Sequence, residues 1–176
     1  MKTLLPFPDF EECAQALHTE HLERQCIDAM ELLNKLAKKD CSILTCHSWV
    51  KMWVGYELAL SAYTLAMLNE LEVRTNVNQN DRIDQVIDLV TTVFKSAGDK
   101  PWWLGQDLIH GSHRGYLIYQ RRDYYGPEGK DWQDPPTSLL LTADPCSGSS
   151  VISRDDSSTG ILLRGSHSSD TVPEDR

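Results

Sequence analysis

The chain has 176 residues with a formal net charge of −9 and a pI near 5.0. Hydrophobic residues make up 40% and charged residues 24%, which excludes a wholly disordered or collagen-like chain and suits one soluble domain with a spare segment. The acidity is not confined to one end: residues 1–142 carry 20 acids and 14 bases, and the remainder carries 6 and 3. Any polyanion partner would therefore need a local basic patch.

The opening Met1-Lys2-Thr3-Leu4-Leu5-Pro6 lacks an apolar signal-peptide core, and no apolar run approaches the roughly 20 residues of a spanning helix. A cytoplasmic protein without membrane contact is expected. Asp9 precedes Glu12 by three residues, a near capping box that starts a first helix through Phe10, Cys13 and Leu17. A second helix is predicted from about Thr19 to Lys39. Its stripe is Leu22, Cys26, Ala29, Leu33 and Leu36, widened by Ile27 and Met30. The third and longest is predicted as one helix from about Ser48 to Val73. Trp49, Trp53, Tyr56, Leu60, Tyr63 and Met67 make it apolar nearly all round, so it should be the buried centre. Asp81 starts a fourth helix with Ile83, Val86, Ile87, Val90 and Phe94 on one face. After the Lys100-Pro101 break, a fifth runs from about Gly105 to Arg122. No strand pattern is present. The expectation is an all-α bundle of about five helices over residues 1–126, an irregular extension over 127–142, and a disordered acidic tail rich in Ser and Asp over 143–176.

Three groups of residues invite chemistry. Glu57 is the sole charged side chain between Met52 and Leu68, on an apolar stretch. A lone buried carboxylate costs several kcal/mol unless paired. Glu57 is therefore either an acid–base group facing a cleft or half of a buried ion pair. His110, His113, Arg114, Arg121 and Arg122, interleaved with Tyr116, Tyr119, Tyr124 and Tyr125, form the one basic, aromatic-rich stretch. It suits phosphate contacts with base stacking, or else a surface helix with arginines lying along it. His21, Arg24 and Asp28 share a face of the second helix, which reads equally as a solvated surface. Cys41, Cys46 and His47 lack the spacing of a zinc knuckle, so no metal and no cofactor is expected. No phosphate loop, dinucleotide fingerprint or nucleophile elbow occurs.

Four segments, in order and spacing, resemble one family. The opening Met1–Phe10 is similar to M-R-T-F-L-P-Y-P-D-F, and Met52–Leu60 to M-W-x-G-Y-E-x-A-L. Pro101–Gly105 is similar to P-x-W-L-G, and His110–Arg114 with Tyr125-Gly126 to H-x-S-H-R and a closing Y-G. These are marks of the pyrimidine-dimer DNA glycosylases of the endonuclease V type, small all-helical proteins of bacteria and phages. The resemblance covers about residues 1–126. It implies a DNA-base glycosylase, with AP-lyase activity as a further step, acting on damaged or modified pyrimidines in duplex DNA.

It also implies an N-terminal α-amine as nucleophile, here that of Met1, helped by carboxylates, here Asp28 and Glu57. His110, His113, Arg114, Arg121, Arg122 and Arg24 would hold phosphates. An α-amine, with pKa near 7.7–8.0, is a usable nucleophile at neutral pH. Lys2 is the poorer candidate amine, since nothing beside it in sequence depresses its pKa. The second helix departs from the family's R-L-G-K-Q-R-V-E. His21 and Cys26 stand for two arginines, Glu23 for the glycine, and Asp28 for the longer acid. The loss of positive charge there favours the alternative, a non-catalytic accessory protein that binds a protein or small ligand.

Overall fold

The computed structural model describes residues 2–39, 48–94, 100–130 and 132. Seven helices and no strand occur among them. They are α1 (Phe10–Ala16), α2 (Thr19–Ala37), α3 (Ser48–Lys51), α4 (Glu57–Thr75), α5 (Asn80–Thr92), α6 (Asp107–Gln120) and α7 (Arg122–Tyr125). None is long and apolar enough to cross a membrane. The expected tail, and Cys41, Cys46 and His47, lie outside the described residues.

The expected cap of the first helix forms. Asp9 accepts from the Glu12 N–H at 2.9 Å, starting α1. On α2, Leu22, Cys26, Ala29 and Leu33 are fully buried. Ile27, expected to widen that stripe, is 50% exposed and faces solvent instead. α4 packs against α1, α2 and α5 and is the central helix, with Leu60, Tyr63, Met67 and Leu68 sealed from water.

The long third helix is two elements. α3 ends at Lys51, the chain turns through Met52–Tyr56, and α4 starts at Glu57. Gly55 at φ +85° makes the turn, in a region that side chains rarely adopt. The aromatic periodicity continues across the break because Met52 and Trp53 remain in the core, at 4% and 0% exposure.

A feature that helical periodicity cannot report joins the helices. Residues 2–7 form a non-helical arm, and Leu4, Leu5 and Pro6 are buried. Buried backbone groups must find partners, and here side chains supply them. Gln25 Oε1 accepts from the Leu4 N–H at 2.9 Å. Tyr63 Oη lies 3.1 Å from the Leu4 carbonyl and 2.8 Å from Gln25 Oε1. His113 Nδ1 accepts from the Leu5 N–H at 3.1 Å, and His110 Nδ1 donates to the Leu5 carbonyl at 2.8 Å. Arg114 donates to the Pro6 carbonyl. Cys13 closes the arm with bonds to both backbone groups of Phe7. Trp53 Nε1 donates to Thr3 Oγ1 at 2.9 Å.

The chain beyond the bundle also returns to it. Trp132 stacks on Tyr125 with ring centroids 5.5 Å apart and meets Phe7 edge-on at 5.7 Å.

Candidate active site

The arm brings Lys2 to an open pocket of about 220 Å³, bounded also by His21, Arg24 and Asp28 of α2 and by Tyr116 and Gln120 of α6. The sequence-predicted pair Arg24 and Asp28 thus meets the N-terminal segment. Asp28 is 6% exposed. Arg24 Nε stands 3.1 Å from its Oδ1, yet that oxygen receives no hydrogen bond among the described residues. That oxygen is sealed from solvent, and the Arg24 guanidinium is the charge that compensates it.

Lys2 differs from its expected state. Its Nζ lies 3.2 Å from the Tyr116 ring centroid and 4.4 Å from that of Trp49. No acid forms an ion pair with it among the described residues. Burial lowers its pKa from 10.5 to about 8. The depression comes from tertiary packing on Tyr116, more than a hundred residues away in sequence, where no reading of its neighbours could find it.

Glu57 is neither half of a buried ion pair nor part of this pocket. It is half-buried at the first position of α4, and its Oε1 accepts from the Gly55 N–H at 2.9 Å. The positive end of the helix dipole suits a carboxylate there. The break at Gly55 makes Glu57 a helix-start residue rather than a mid-helix one.

The basic stretch of α6 turns inward. His110 and His113 are 1% and 0% exposed, and both grip Leu5. His110 Nε2 further accepts from the Gly105 N–H at 3.0 Å, which fixes the tautomer with its proton on Nδ1. His113, accepting at Nδ1, must be neutral. Burial above all, with the charges of Lys2 and His110, holds its pKa at about 3. Arg114 sits on Pro6 and beside the Phe7 ring. Residues read as phosphate contacts therefore bind the protein's own arm in this structure.

Arg121 donates to Glu20 and Asp123 and lies against the His18 ring. Arg122 is exposed on α7. Of the expected phosphate contacts, only Arg24 borders the pocket. Met1 lies outside the described residues.

His21, where the resembled pattern has an arginine, stacks on Tyr125 at 5.5 Å, and its Nδ1 lies 2.8 Å from the Tyr125 hydroxyl. Burial, then the charges of His18 and Arg121, lowers its pKa. Sequence reasoning missed Gln25, Tyr63, Trp49 and Tyr116 as supports of the arm and pocket. Gln25 carried a signal, a polar residue inside the apolar stripe of α2; Tyr116 reads from sequence as a base-stacking residue, and Trp49 and Tyr63 look like ordinary core aromatics.

No group of three or more His, Cys, Asp or Glu side chains fit to hold a metal occurs among the described residues. The class defined is an all-helical domain with an amine-bearing arm laid against a carboxylate pocket. Residues 1–84 match the family model described as pyrimidine dimer DNA glycosylase, so the resemblance carried by the opening and by Met52–Leu60 is shown over that part of the chain. The segments at Pro101–Gly105 and His110–Arg114 lie beyond the matched stretch. No curated protein and no solved structure matches the chain.

Proposed function

We propose that the protein is a DNA glycosylase that removes damaged or modified pyrimidines from duplex DNA, with an AP-lyase step following through an amine. The observation that supports this best is the convergence of the N-terminal arm, Arg24 and Asp28 on one pocket, within the part of the chain that matches the family. Damaged nucleotides leave the base stack at low cost, and a pocket of this size takes one flipped base or its sugar. Arg24, 67% exposed at the rim, would meet the phosphate beside that sugar. Asp28 would stabilise positive charge developing at C1′ and handle the proton that the amine releases. Met1, by resemblance, and Lys2, by its position on the arm, are the candidate amines.

A second reading has an observation in its favour. His110, His113 and Arg114 are engaged with the arm, and the chain is acidic, so few bases are free to meet DNA. That suits an accessory protein that keeps the fold without the chemistry. The test is release of a pyrimidine base or dimer from a lesion-bearing duplex, run beside binding at several salt concentrations. A glycosylase releases the base and binds with an affinity that falls steeply with salt. No binding at low salt and no base release would leave the accessory reading.

A further inference from the structure

We infer that Lys2 is the covalent nucleophile of this site, its Nζ forming an imine with the C1′ aldehyde of an abasic sugar in DNA. The inference rests on the glycosylase reading and names the amine that serves it. The carrying observation is a juxtaposition: the Lys2 ammonium position lies over the Tyr116 and Trp49 rings, borders the same pocket as Asp28, and has no ion-pair partner among the described residues. Aromatic faces hold the ammonium in place while stabilising its charge less than a close carboxylate would, so less is lost when it gives up its proton. The lowered pKa, about 8, leaves a useful fraction of neutral amine at neutral pH. The groups around it act in different directions. Asp28 favours the ammonium form; Arg24 and, when protonated, His21 oppose it; Tyr116, Trp49 and the neutral His113 desolvate it.

The step balances without any oxidant or reductant. The Nζ lone pair attacks the C1′ carbon of the ring-opened sugar, the carbonyl oxygen takes up a proton, and a carbinolamine forms. Its hydroxyl then leaves as water while the nitrogen lone pair makes the C=N bond. The imine, once protonated, acidifies the C2′ hydrogen. Its removal drives departure of the 3′ phosphate with the C3′–O electron pair, and hydrolysis of the imine returns the free amine. Asp28, the carboxylate that lines the same pocket as Lys2, would carry these protons. The aldehyde could arise from the protein's own base release or be met ready-made in DNA, so both sources belong in the test.

The experiment is borohydride trapping with two duplexes, one carrying a pyrimidine dimer and one a single abasic site, followed by mass mapping of the adduct. The expected result is an adduct on Lys2 with the abasic duplex, retained when the α-amine is acetylated. Adduct on the abasic duplex alone assigns ready-made aldehydes as the source; adduct on both assigns base release as well. Lys2→Arg keeps the cation over the rings but cannot form an imine, since a guanidinium stays protonated and offers no nucleophilic lone pair. It should lose trapping by about 100-fold or more, while duplex affinity stays within about threefold. An adduct on the α-amine, undiminished trapping in Lys2→Arg, or no adduct from the native chain would each overturn the inference. A chain that releases bases yet traps elsewhere refutes Lys2 alone; one that neither binds DNA nor releases bases refutes the glycosylase reading. A readout free of DNA accompanies these. Formaldehyde with borohydride at neutral pH should methylate Lys2 ahead of every other described lysine, and a rate no faster than theirs overturns the inference.

Discussion

Acid should undo this fold earlier than its carboxylates alone would, because of His113. An ordinary histidine has a pKa of 6.5, and His113 is held at about 3 in the folded chain. The folded state therefore binds fewer protons than the unfolded one between those values. For a base whose folded pKa is depressed, stability is fully present above 6.5 and is lost as pH falls toward 3. Within the window the slope from this one group approaches 1.4 kcal/mol per pH unit, and the loss by pH 4 is about 3 kcal/mol. That is a large share of the 5–15 kcal/mol typical of a domain. The physical reason is the Leu5 N–H. Protonation at Nδ1 removes its acceptor and buries a charge beside Lys2. Urea unfolding from pH 7 down to pH 4 reads the slope, and His113→Asn isolates it. An asparagine carbonyl oxygen occupies the place of Nδ1 and accepts the same bond, but does not titrate. The variant should show a slope lower by about 1.4 kcal/mol per pH unit between pH 6 and 4. Equal slopes, or a His113 resonance that titrates near 6.5, would refute the reasoning.

Gly55→Ala should cost about 1 kcal/mol in urea melts, through its positive φ alone, because a Cβ there meets no atom within 4 Å. Glu57→Ala should cost about 0.5–1 kcal/mol by the same measurement, the worth of a helix-start contact. A loss of 3–5 kcal/mol would instead restore the buried ion pair expected from the sequence. Arg114→Ala should lower the melting temperature by several degrees by freeing the Pro6 carbonyl. It should leave the salt dependence of DNA binding unchanged, whereas a phosphate contact would flatten that slope by about one unit.

The helices were legible because their apolar residues recur at helical spacing, and Asp9 marks the first start with a cap. Asp28 and Arg24 were legible as neighbours because four residues on one helix must share a face. The break at Gly55 was not, since Trp53 and Tyr56 keep the aromatic rhythm on both sides of it. The orientation of α6 was misjudged for a related reason. Histidine and arginine are usually read as surface residues, but the buried arm supplies carbonyls and N–H groups that need polar side chains as partners, and α6 provides His110, His113 and Arg114. Six residues without periodicity, 2–7, thus decide what His110, His113 and Arg114 do. The activation of Lys2 follows from the same cause.

The arm also bears on the order in which the fold can be completed. Its partners on α2 and α4 emerge early during synthesis, but Leu5 bonds to His110 and His113 across 105 and 108 residues of chain. Contacts of such separation close late, after the entropy of a long loop has been overcome. Until α6 is made, the Leu5 peptide group has neither its acceptor nor its donor. The pocket beside it cannot hold its shape, since Tyr116 is still missing. Assembly of the reactive amine is thereby tied to the arrival of the sixth helix, and a truncated or stalled chain carries no preformed site.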